Sequence, residues 1–388
     1  MAIEDLYGKV LALAVQTIRK QTALPALVNN LTTGDRSQAA TRGGVTEVIV
    51  PPEFAARDVV PAAVPPASQA APAPTTVQVP LDFWREVNFP LTEKHITLLE
   101  NADTAAPMFL QNAVGPIVEE ITASILATYR GIYGYVGTAG TTPFGASPAE
   151  AQQAKTVLTR QKCPRFMRKL VLNSGAYGNA TGLQNFRLVD QSGSSETLRE
   201  GEIGRAYGFD WHEDVGFDGI SHTSTPLTAG AATVNGAHAV GVTTISIAKA
   251  TNASPLVAGD IISFAGDTQT YVVVTGVNLA VGNTNVSIQP PLRVAKAGGE
   301  AVTLRASHSI NLAFHPMAFA FDSRPAARLN IPGVTSNFMT WVDEMTGVTL
   351  RLEIKDEYHQ VGFYLSCLWG RKLVDPRLAV RIAGAVGE

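Results

Sequence analysis

The stretch from Pro107 to Tyr135 limits most strongly what this chain can fold into. Pro116 lacks a backbone donor, so we expect a kink or a restart of the helix at Gly115–Pro116. A helix about 40 Å long, at roughly 1.5 Å per residue, needs a wide surface to lie on. Glu119, Glu120, Thr122, Ser124 and Arg130 fall off the apolar face. The apolar residues recur at steps of three and four, which places them on one face of a helix: Val114, Ile117, Val118, Ile121, Ile125, Tyr129 and Ile132.

The composition is that of an ordered protein of two or three domains, with 388 residues of which 45% are hydrophobic. Charged residues make up 16%, below the usual quarter, which indicates either a large core or much surface covered by partners. The net charge of −3 gives no overall electrostatic case for tight binding of nucleic acid or of an anionic membrane. No uncharged apolar run is long enough to span a bilayer.

The two cysteines, Cys163 and Cys367, are too few and too far apart to indicate a disulfide framework or a metal site. A reducing compartment is therefore expected. The first residues, MAIEDLYGK, show no basic end followed by an apolar run, so no signal peptide is predicted. We expect a soluble intracellular product.

The N-terminal part, residues 3–31, is predicted to form an amphipathic helix interrupted by Pro25. Such a terminal helix must dock on its own body or on a neighbour. The polar, glycine-containing residues 32–46 then predict a flexible connection. Candidates for the apolar side of the helix are Leu6, Val10, Leu13, Ile18 and Leu24.

Two short strands, Glu47–Val50 and Thr75–Val79, are joined by a proline-rich segment. This pattern predicts either a long two-stranded arm or a disordered linker between domains. The residues that follow favour the arm, because they are too aromatic for a solvated linker. They are Phe83, Trp84, Val87 and Phe89, alternating with Arg85 and Glu86.

After the long helix, the sequence predicts a mixed α/β body. Ser147 as N-cap, Pro148 and Glu150 form a capping box for a second helix, which Pro164 ends. Arg168–Leu172 is predicted as a buried strand, 183–202 as a loop, and GEIGRAYGFDWHEDVGF restores strand character. Near the C-terminus, Val348, Leu350 and Leu352 alternate with Thr349, Arg351 and Glu353 on one strand, and Phe363–Trp369 suggests a strand buried on both faces.

Residues 221–308 differ from both flanks. Short Val-, Ile- and Thr-rich runs recur every ten to fifteen residues between glycine-rich turns, which is typical of a small antiparallel barrel or sandwich. The flanks, WHEDVGFD and SINLAFHPMAFAF, resemble one another and not the segment between them. We therefore predict an all-β domain inserted into a host domain.

No catalytic constellation is visible. The consecutive His212, Glu213 and Asp214 point to alternating faces of a strand and cannot easily converge on a metal, so a solvated strand end is expected. The glycines of GEIGRAYGF are spaced too loosely for a nucleotide-binding fingerprint and indicate backbone turns. His308 and His315 flank an apolar strand, which is typical of satisfied rim histidines. We expect no enzyme activity, no metal and no cofactor.

The best basic patch surrounds the end of the second helix. Its cations could complement the helix dipole, contact DNA, or meet a neighbour's acidic surface. The sequence leaves these alternatives open. The patch comprises Arg160, Lys162, Arg165, Arg168 and Lys169.

The order of these parts resembles that of the major capsid proteins of tailed bacteriophages. Local resemblance lies in LDFWREVNFPLTEKHI, which is similar to the strand returning from the extended loop of these proteins. LREGEIGRAYGFDWHEDVGF resembles the strands leading to their apical domain, and LAFHPMAFAF and LWGRKLVDPRLAVRIAG resemble their closing strands. The resemblance implies the α+β fold named after the Hong Kong ninety-seven phage. AGDIISFAG resembles part of the β-barrel inserted in the branch of the short-tailed Salmonella phage coat protein.

The resemblance also implies a division of the chain. The parts are an N-terminal arm (1–45), an extended β-hairpin loop (46–104), the spine helix with the first part of the peripheral and axial domains (105–220), the inserted barrel (221–305) and the second part of those domains (306–388). The extended loop should lie over a neighbouring subunit, with Phe83, Trp84 and Phe89 as anchors beside Arg85 and Glu86. The N-terminal helix, through Leu6, Val10 and Leu13, should make further contacts and move during maturation.

As a capsid protein, the chain would form an icosahedral virion shell from hexamers and pentamers of itself, assembled in the cytoplasm of a bacterial host. The implied partners are a separate scaffolding protein, a portal protein at one vertex, a candidate decoration protein and packaged DNA held by non-specific contact, with no membrane. One rival is an encapsulin-like compartment shell of the same fold, which would not need the inserted domain. The other is an enzyme or sugar-binding protein with a β accessory domain, for which no acid/base pair can be placed.

Overall fold

The fold is that of a computed structural model. It describes residues 23–30, 44–50, 56, 58–59, 61, 75–94, 102–188, 199–227, 232–327, 337–343 and 345–387, with the backbone alone for 75, 102–112 and 337. It is a mixed α+β structure in which strands predominate. The described α-helices are α1 (Leu24–Leu27), α2 (Ala102–Leu126), α3 (Ala149–Arg160), α4 (Ser174–Gly182) and α5 (Gln184–Arg187).

A five-stranded antiparallel sheet, here called the body sheet, carries the long helix α2. One face of the sheet and the apolar face of α2 share the largest hydrophobic core. The predicted apolar face is confirmed for the part that lies on α2, where Val114, Ile117, Val118, Ile121 and Ile125 are buried. Tyr129 and Ile132 are buried too, but they follow the end of the helix. The strands of the body sheet are β3 (Phe83–Thr92), β18 (Phe319–Ser323), β19 (Asn337–Val342), β20 (Thr349–Glu357) and β21 (Gln360–Leu373).

The predicted two-stranded arm is present as β1 (Val45–Val50) and β2 (Thr75–Pro80). The two strands pair antiparallel from Val45 opposite Pro80 to Val50 opposite Thr75. Val48 and Val79 pack on Ala320, so the arm covers the β18 end of the body sheet. The arm and the body sheet approach each other closely there, since a Cβ on Gly370 of β21 would overlap the Pro80 carbonyl of β2.

The aromatic strand β3 belongs to the body sheet. The sequence grouped it with the extended loop of 46–104, but it pairs with β21 over its whole length, from Phe83 opposite Trp369 to Thr92 opposite Gln360. Its outer edge pairs with no other described strand, and Pro90 sits in it as proline does in edge strands. The arm proper is therefore β1 and β2, while β3 is a fixed part of the subunit.

A seven-stranded sheet, here called the central sheet, lies beside the body sheet and is covered by α3 and α4. Its strand order is β4-β22-β17-β5-β7-β6, with β8 paired to β17. The faces of β17 contribute to two different cores, Leu312 to that of α2 and Ala313 to that of α3 and α4. The strands are β4 (Gly134–Val136), β5 (Lys169–Leu172), β6 (Arg205–Ala206), β7 (Phe209–Glu213), β8 (Ser221–His222), β17 (His308–Phe314) and β22 (Ala379–Gly384).

The segment between β8 and β17 forms a closed six-stranded barrel with its own core. The chain leaves the central sheet at His222 and returns at His308, which face each other in the β8–β17 ladder. An inserted all-β unit is therefore what the structure contains. Its barrel strands are β9 (Ala232–Val234), β10 (Thr244–Lys249), β12 (Ile261–Phe264), β13 (Thr270–Val273), β15 (Gly282–Gln289) and β16 (Ala301–Leu304), with β11 (Ser254–Leu256) and β14 (Val277–Leu279) as a separate ladder.

Several predicted boundaries of α2 and its neighbours were wrong. α2 continues through Gly115 and Pro116 without a restart and ends at Leu126, followed by a 3₁₀ turn at Ala127–Gly131 and by β4. Pro116 is exposed, which leaves its ring free of the packed face. Thr122 and Ser124, placed off the apolar face, are buried. Ser124 Oγ accepts a hydrogen bond from Trp369 Nε1 (2.9 Å), so a polar residue is satisfied within the core.

The predicted capping box of the second helix was also wrong. The cap of α3 is Pro148, and no side chain caps its backbone. The helix also ends at Arg160, before Pro164. Within the predicted polar loop, the short helix α5 was missed, because it has too few residues to show a helical period.

Two predictions on the C-terminal strands need correction. Phe363, Leu365, Cys367 and Trp369 are buried, but the residues between them are only half-buried, so β21 is not buried on both faces. Thr349, predicted to alternate outward, is buried. Its hydroxyl donates to the carbonyl of Ser323 (3.0 Å), which satisfies this polar group away from water.

Candidate interaction surface

The face of the body sheet turned away from α2, here called the outer face, is the candidate interaction surface. Trp84 is 65% exposed there, and its strand neighbours on this face are Glu86 and Asn88. Phe338 is exposed on the same face and stacks under the Arg351 guanidinium, 4.8 Å from its ring centroid. At its β18 end this face is covered by the arm, whose strand β2 contacts β18 and β21. An exposed tryptophan among charged side chains has the composition of a protein contact.

The other predicted aromatic anchors have partners within their own subunit. Phe83 stacks on Trp369 with ring centroids 5.8 Å apart, and Phe89 stacks on Phe363 at 5.1 Å. Both are half-buried on the α2 side of the sheet. Of the three aromatic residues, Trp84 is therefore the one whose ring is mostly available to a partner.

The charged candidates divide in the same way. Arg85 points toward α2 and forms an ion pair with Glu120 (3.1 Å) on the surface, whereas Glu86 lies on the outer face. Such an exposed pair contributes little to stability. Leu6, Val10 and Leu13 lie outside the described residues, so their predicted role stays a prediction.

A buried polar cluster joins the barrel to the body, here called the neck. His222 Nε2 lies 2.9 Å from Asp260 Oδ1, and His222 Nδ1 lies 3.1 Å from the Tyr129 hydroxyl. The Ser224 hydroxyl (2.6 Å) and the Val257 amide (2.7 Å) also donate to Asp260. Sequence reasoning missed this cluster, because its members are far apart along the chain and carry no local motif.

Arg381 on β22 completes the neck. It is fully buried, and its guanidinium donates to the carbonyl of Gly259 in the barrel (2.8 Å) and to that of Arg130 in the body (3.3 Å). The guanidinium lies 5.0 Å from the centroid of the Tyr129 ring. Burial lowers the pKa of Arg381 to about 9, so it is still a cation at neutral pH. A cation and the Asp260 carboxylate therefore fix how the barrel sits on the body.

His308 lies in the same neck and is fully buried. Its Nδ1 faces the Ala306 carbonyl at 2.8 Å, while Nε2 has no partner among the described residues. Burial, and then the nearby Arg381 and His222, lower the pKa of His308 to about 4. The protein therefore holds this imidazole neutral where an unfolded chain would protonate it.

Acidification is expected to destabilise the subunit through His308. The unfolded chain binds a proton near pH 6.5 and the folded chain only near pH 4, so stability is complete above the unfolded value and is lost as the pH falls between the two. The loss should reach about 2 kcal/mol at about pH 4.5. Urea unfolding of the purified chain across this range measures it.

The matched control for this pH effect is His308→Asn, which keeps a donor for the Ala306 carbonyl but does not titrate. Its stability should fall less between pH 6.5 and pH 4.5 than that of the unaltered chain. His212 and His315 have pKa values lowered by burial and should give both chains the same residual slope. Equal slopes for the two chains would contradict the assignment to His308.

Asp214 and the glycines of GEIGRAYGF, which the sequence raised as candidate site residues, have structural roles. Asp214, expected at a solvated strand end, is buried and accepts from the amides of Ala23 and Leu24. Its role is to hold α1 on the body. Gly201 and Gly204 have positive φ and form backbone turns, as predicted. In the described part of the chain, no group of His, Cys, Asp or Glu could hold a metal ion, and no helix is long and apolar enough to cross a membrane.

Comparisons with known proteins complete the description. No protein-family model matches the chain, and no curated protein sequence matches it. Among solved structures, it is similar to one titled as the capsid of the cyanophage P-SCSP1u, with 9% identity and a TM-score of 0.47 over 94% of this chain and 89% of that one. A Mycobacterium phage Che8 structure gives 14% identity and a TM-score of 0.46 over 93% and 91%. A virus-like particle from Pyrococcus furiosus gives 9% and 0.39 over 97% and 98%.

Proposed function

We propose that the chain is the major capsid protein of a tailed double-stranded DNA bacteriophage, which assembles into an icosahedral shell. The observation that carries this proposal is the outer face of the body sheet, where Trp84 is 65% exposed and Phe338 is 40% exposed. A second copy of the chain is the natural cover for such a face, since repeated modest contacts sum in a closed shell.

The layout of the subunit supports the same proposal. In chain order it contains a two-stranded arm, a long helix on a sheet, and a central sheet in which β8 and β17 flank the inserted barrel and β22 comes last. An arm, a long helix and an inserted barrel are among the parts that the sequence resemblance implies. An encapsulin-like shell is less favoured, because it would not need the barrel.

In the proposed shell, hexamers and pentamers of this chain contact one another through the arm and the outer face. The Hong Kong ninety-seven type division into spine, peripheral and axial regions, the Salmonella-phage branch, and assembly in a host cytoplasm belong to the proposal. A separate scaffolding protein, a portal protein, a decoration protein and non-specifically bound DNA are its proposed partners. The virion is the proposed location.

The decisive experiment is negative-stain electron microscopy of the purified chain, expressed alone and with its neighbouring genes. Closed shells or sheets of hexamers are the expected result. Shells that close properly only beside a co-expressed partner would support a separate scaffolding protein. A uniform monomer or dimer under every condition would contradict the proposed function.

Trp84→Ala is expected to weaken assembly without weakening the subunit. Buried tryptophans often dominate protein contacts, so the concentration needed for assembly should rise about tenfold or more. Sedimentation measures assembly, and thermal melting of the dissociated subunit should remain unchanged because Trp84 lies outside the core. Val240→Ala, at an exposed apolar position on the barrel, is the control and should assemble normally. Unchanged assembly of Trp84→Ala would remove Trp84 from the interface.

A further inference from the structure

A basic cleft of about 750 Å³ lies between α3 and the turn of the β6–β7 hairpin. No carboxylate lines it. Cations therefore dominate a concave surface that the proposed function leaves unassigned. The lining residues that matter here are Lys155, Arg160, Arg165, Arg168, Tyr207 and Gly208.

One of these cations is structural, and three are not. Buried Arg168 donates to the backbone carbonyls of Pro164 (2.7 Å) and Cys163 (2.7 Å), so its guanidinium already holds the turn that follows α3. Lys155, Arg160 and Arg165 are exposed and form no ion pair with any residue in the described part of the chain. Complementing the helix dipole accounts for Arg160, which lies in the last turn of α3, but not for Lys155 in mid-helix or for Arg165 beyond the helix end.

Two apolar side chains stand beside these cations. Phe166 is 62% exposed and Met167 is 54% exposed, immediately after Arg165. Met167 has a φ of 55°, a left-handed conformation uncommon for such a side chain. Nucleic acid backbone needs cations alone, whereas a protein surface matches cations together with exposed Phe and Met. Neither side chain lines the cleft itself, and the Phe166 ring also packs edge-on against His315 at 5.7 Å, but both follow the lining residue Arg165. The surface at this edge of the cleft is therefore better suited to an acidic protein surface than to DNA.

The same chain carries an acidic counterpart at the edge of the central sheet. A second cleft, of about 550 Å³, is lined by Glu200, Glu202, Asp210 and Glu213. Asp210 pairs with Lys169 at 2.9 Å and with Arg205 at 3.7 Å. Arg205 lines this cleft as well, so its four carboxylates outnumber the cations beside them. Both clefts use the β6–β7 hairpin, so one subunit cannot seat its own acidic rim in its own basic cleft.

We propose that the basic cleft of one subunit receives the acidic rim of a second copy, in a head-to-tail contact that repeats around a ring. Because the two surfaces differ, the contact is heterologous, and heterologous contacts close into rings when the rotation permits. The inference rests on the proposed function, and it identifies the contact between neighbouring subunits within one hexamer or pentamer. Charge complementarity of this kind mainly selects the partner and its orientation.

Charge reversal tests the contact. Lys155→Glu/Arg160→Glu/Arg165→Glu, the cleft variant, leaves Arg168 as the one cation among three new carboxylates in the cleft lining, so both surfaces become acidic. Glu202→Lys/Glu213→Lys, the rim variant, makes both surfaces basic. Each variant should raise the concentration needed for assembly at least about tenfold, and the two sets combined in one chain should restore it. A mixture of the cleft variant and the rim variant should rebuild six-membered rings, in which they can alternate, but not five-membered ones. Lys162→Glu, an exposed reversal outside the cleft lining, is the control and should assemble normally.

The outcomes separate this inference from the proposed function. If the unaltered chain forms no shells, the proposed function fails. If it does, and both variants assemble as well as the unaltered chain with unchanged melting temperatures, the inference is overturned. Normal shells of the cleft variant that retain less labelled duplex DNA would assign the cleft to nucleic acid instead. Failure of the folded combined variant to assemble would also overturn the inference.

Discussion

Replacing Arg381 by methionine is expected to lower the free energy of unfolding of the dissociated subunit by about 3 to 5 kcal/mol. Methionine fills part of the volume, so most of the loss comes from polar groups. The carbonyls of Gly259 and Arg130 lose their donors, and Asp260 loses a buried cation nearby. Buried polar groups without partners keep their full desolvation cost.

The same substitution should uncouple the barrel from the body, because Arg381 binds one carbonyl in each. All four tryptophans, Trp84, Trp211, Trp341 and Trp369, lie outside residues 221–305, so tryptophan fluorescence reports on the body alone. Circular dichroism reports on both units. We expect the two urea transitions to coincide in the unaltered chain and to separate in Arg381→Met.

Arg305→Met is the matched control for the neck. Arg305 also lies over a tyrosine there, 5.5 Å from the centroid of Tyr135, but it is exposed. Its replacement should cost at most about 1 kcal/mol, the usual value of an exposed cation–π contact. Equal losses for the two variants would mean that burial of Arg381 is not what couples the units.

Trp369→Ala is the second substitution with a large expected effect. Trp369 is fully buried between α2 and the body sheet, stacks on Phe83 and donates to Ser124. Removing a buried tryptophan leaves a cavity and should cost about 3 to 5 kcal/mol. The loss should appear as a fall of about 5 °C in the melting temperature of the dissociated subunit.

Two further variants divide this effect into its causes. Trp369→Phe keeps most of the volume but leaves Ser124 without its donor, and should cost about 1 to 2 kcal/mol. Trp84→Ala, one strand away on the outer face, should change subunit stability by less than about 0.5 kcal/mol. A Trp369→Ala subunit as stable as Trp84→Ala would contradict the position assigned to Trp369 in the core.

The regular elements could be predicted from the sequence because their signals are local. The period of three and four from Val114 to Ile125 predicted the buried face of α2. The alternation of Leu350 and Leu352, which begins with Val348 just before the strand, predicted the buried face of β20. The change of texture at 221–308 revealed the barrel as an insertion. Each signal depends on neighbours along the chain, where side-chain spacing and backbone geometry are directly linked.

Tertiary structure alone decided the features that depend on distant residues. The sequence grouped β3 with the extended loop, but in the structure β3 pairs with β21. The sequence placed Ser124 off the apolar face, but in the structure its hydroxyl accepts a hydrogen bond from Trp369. The neck brings Tyr129, His222, Asp260 and Arg381 together, and the two clefts exist only because hairpin β6–β7 folds beside α3 and the sheet edge. Sequence periodicity shows which apolar side chains must be buried. A polar group can be buried only where it finds a hydrogen-bond partner, and only the folded chain brings that partner to it.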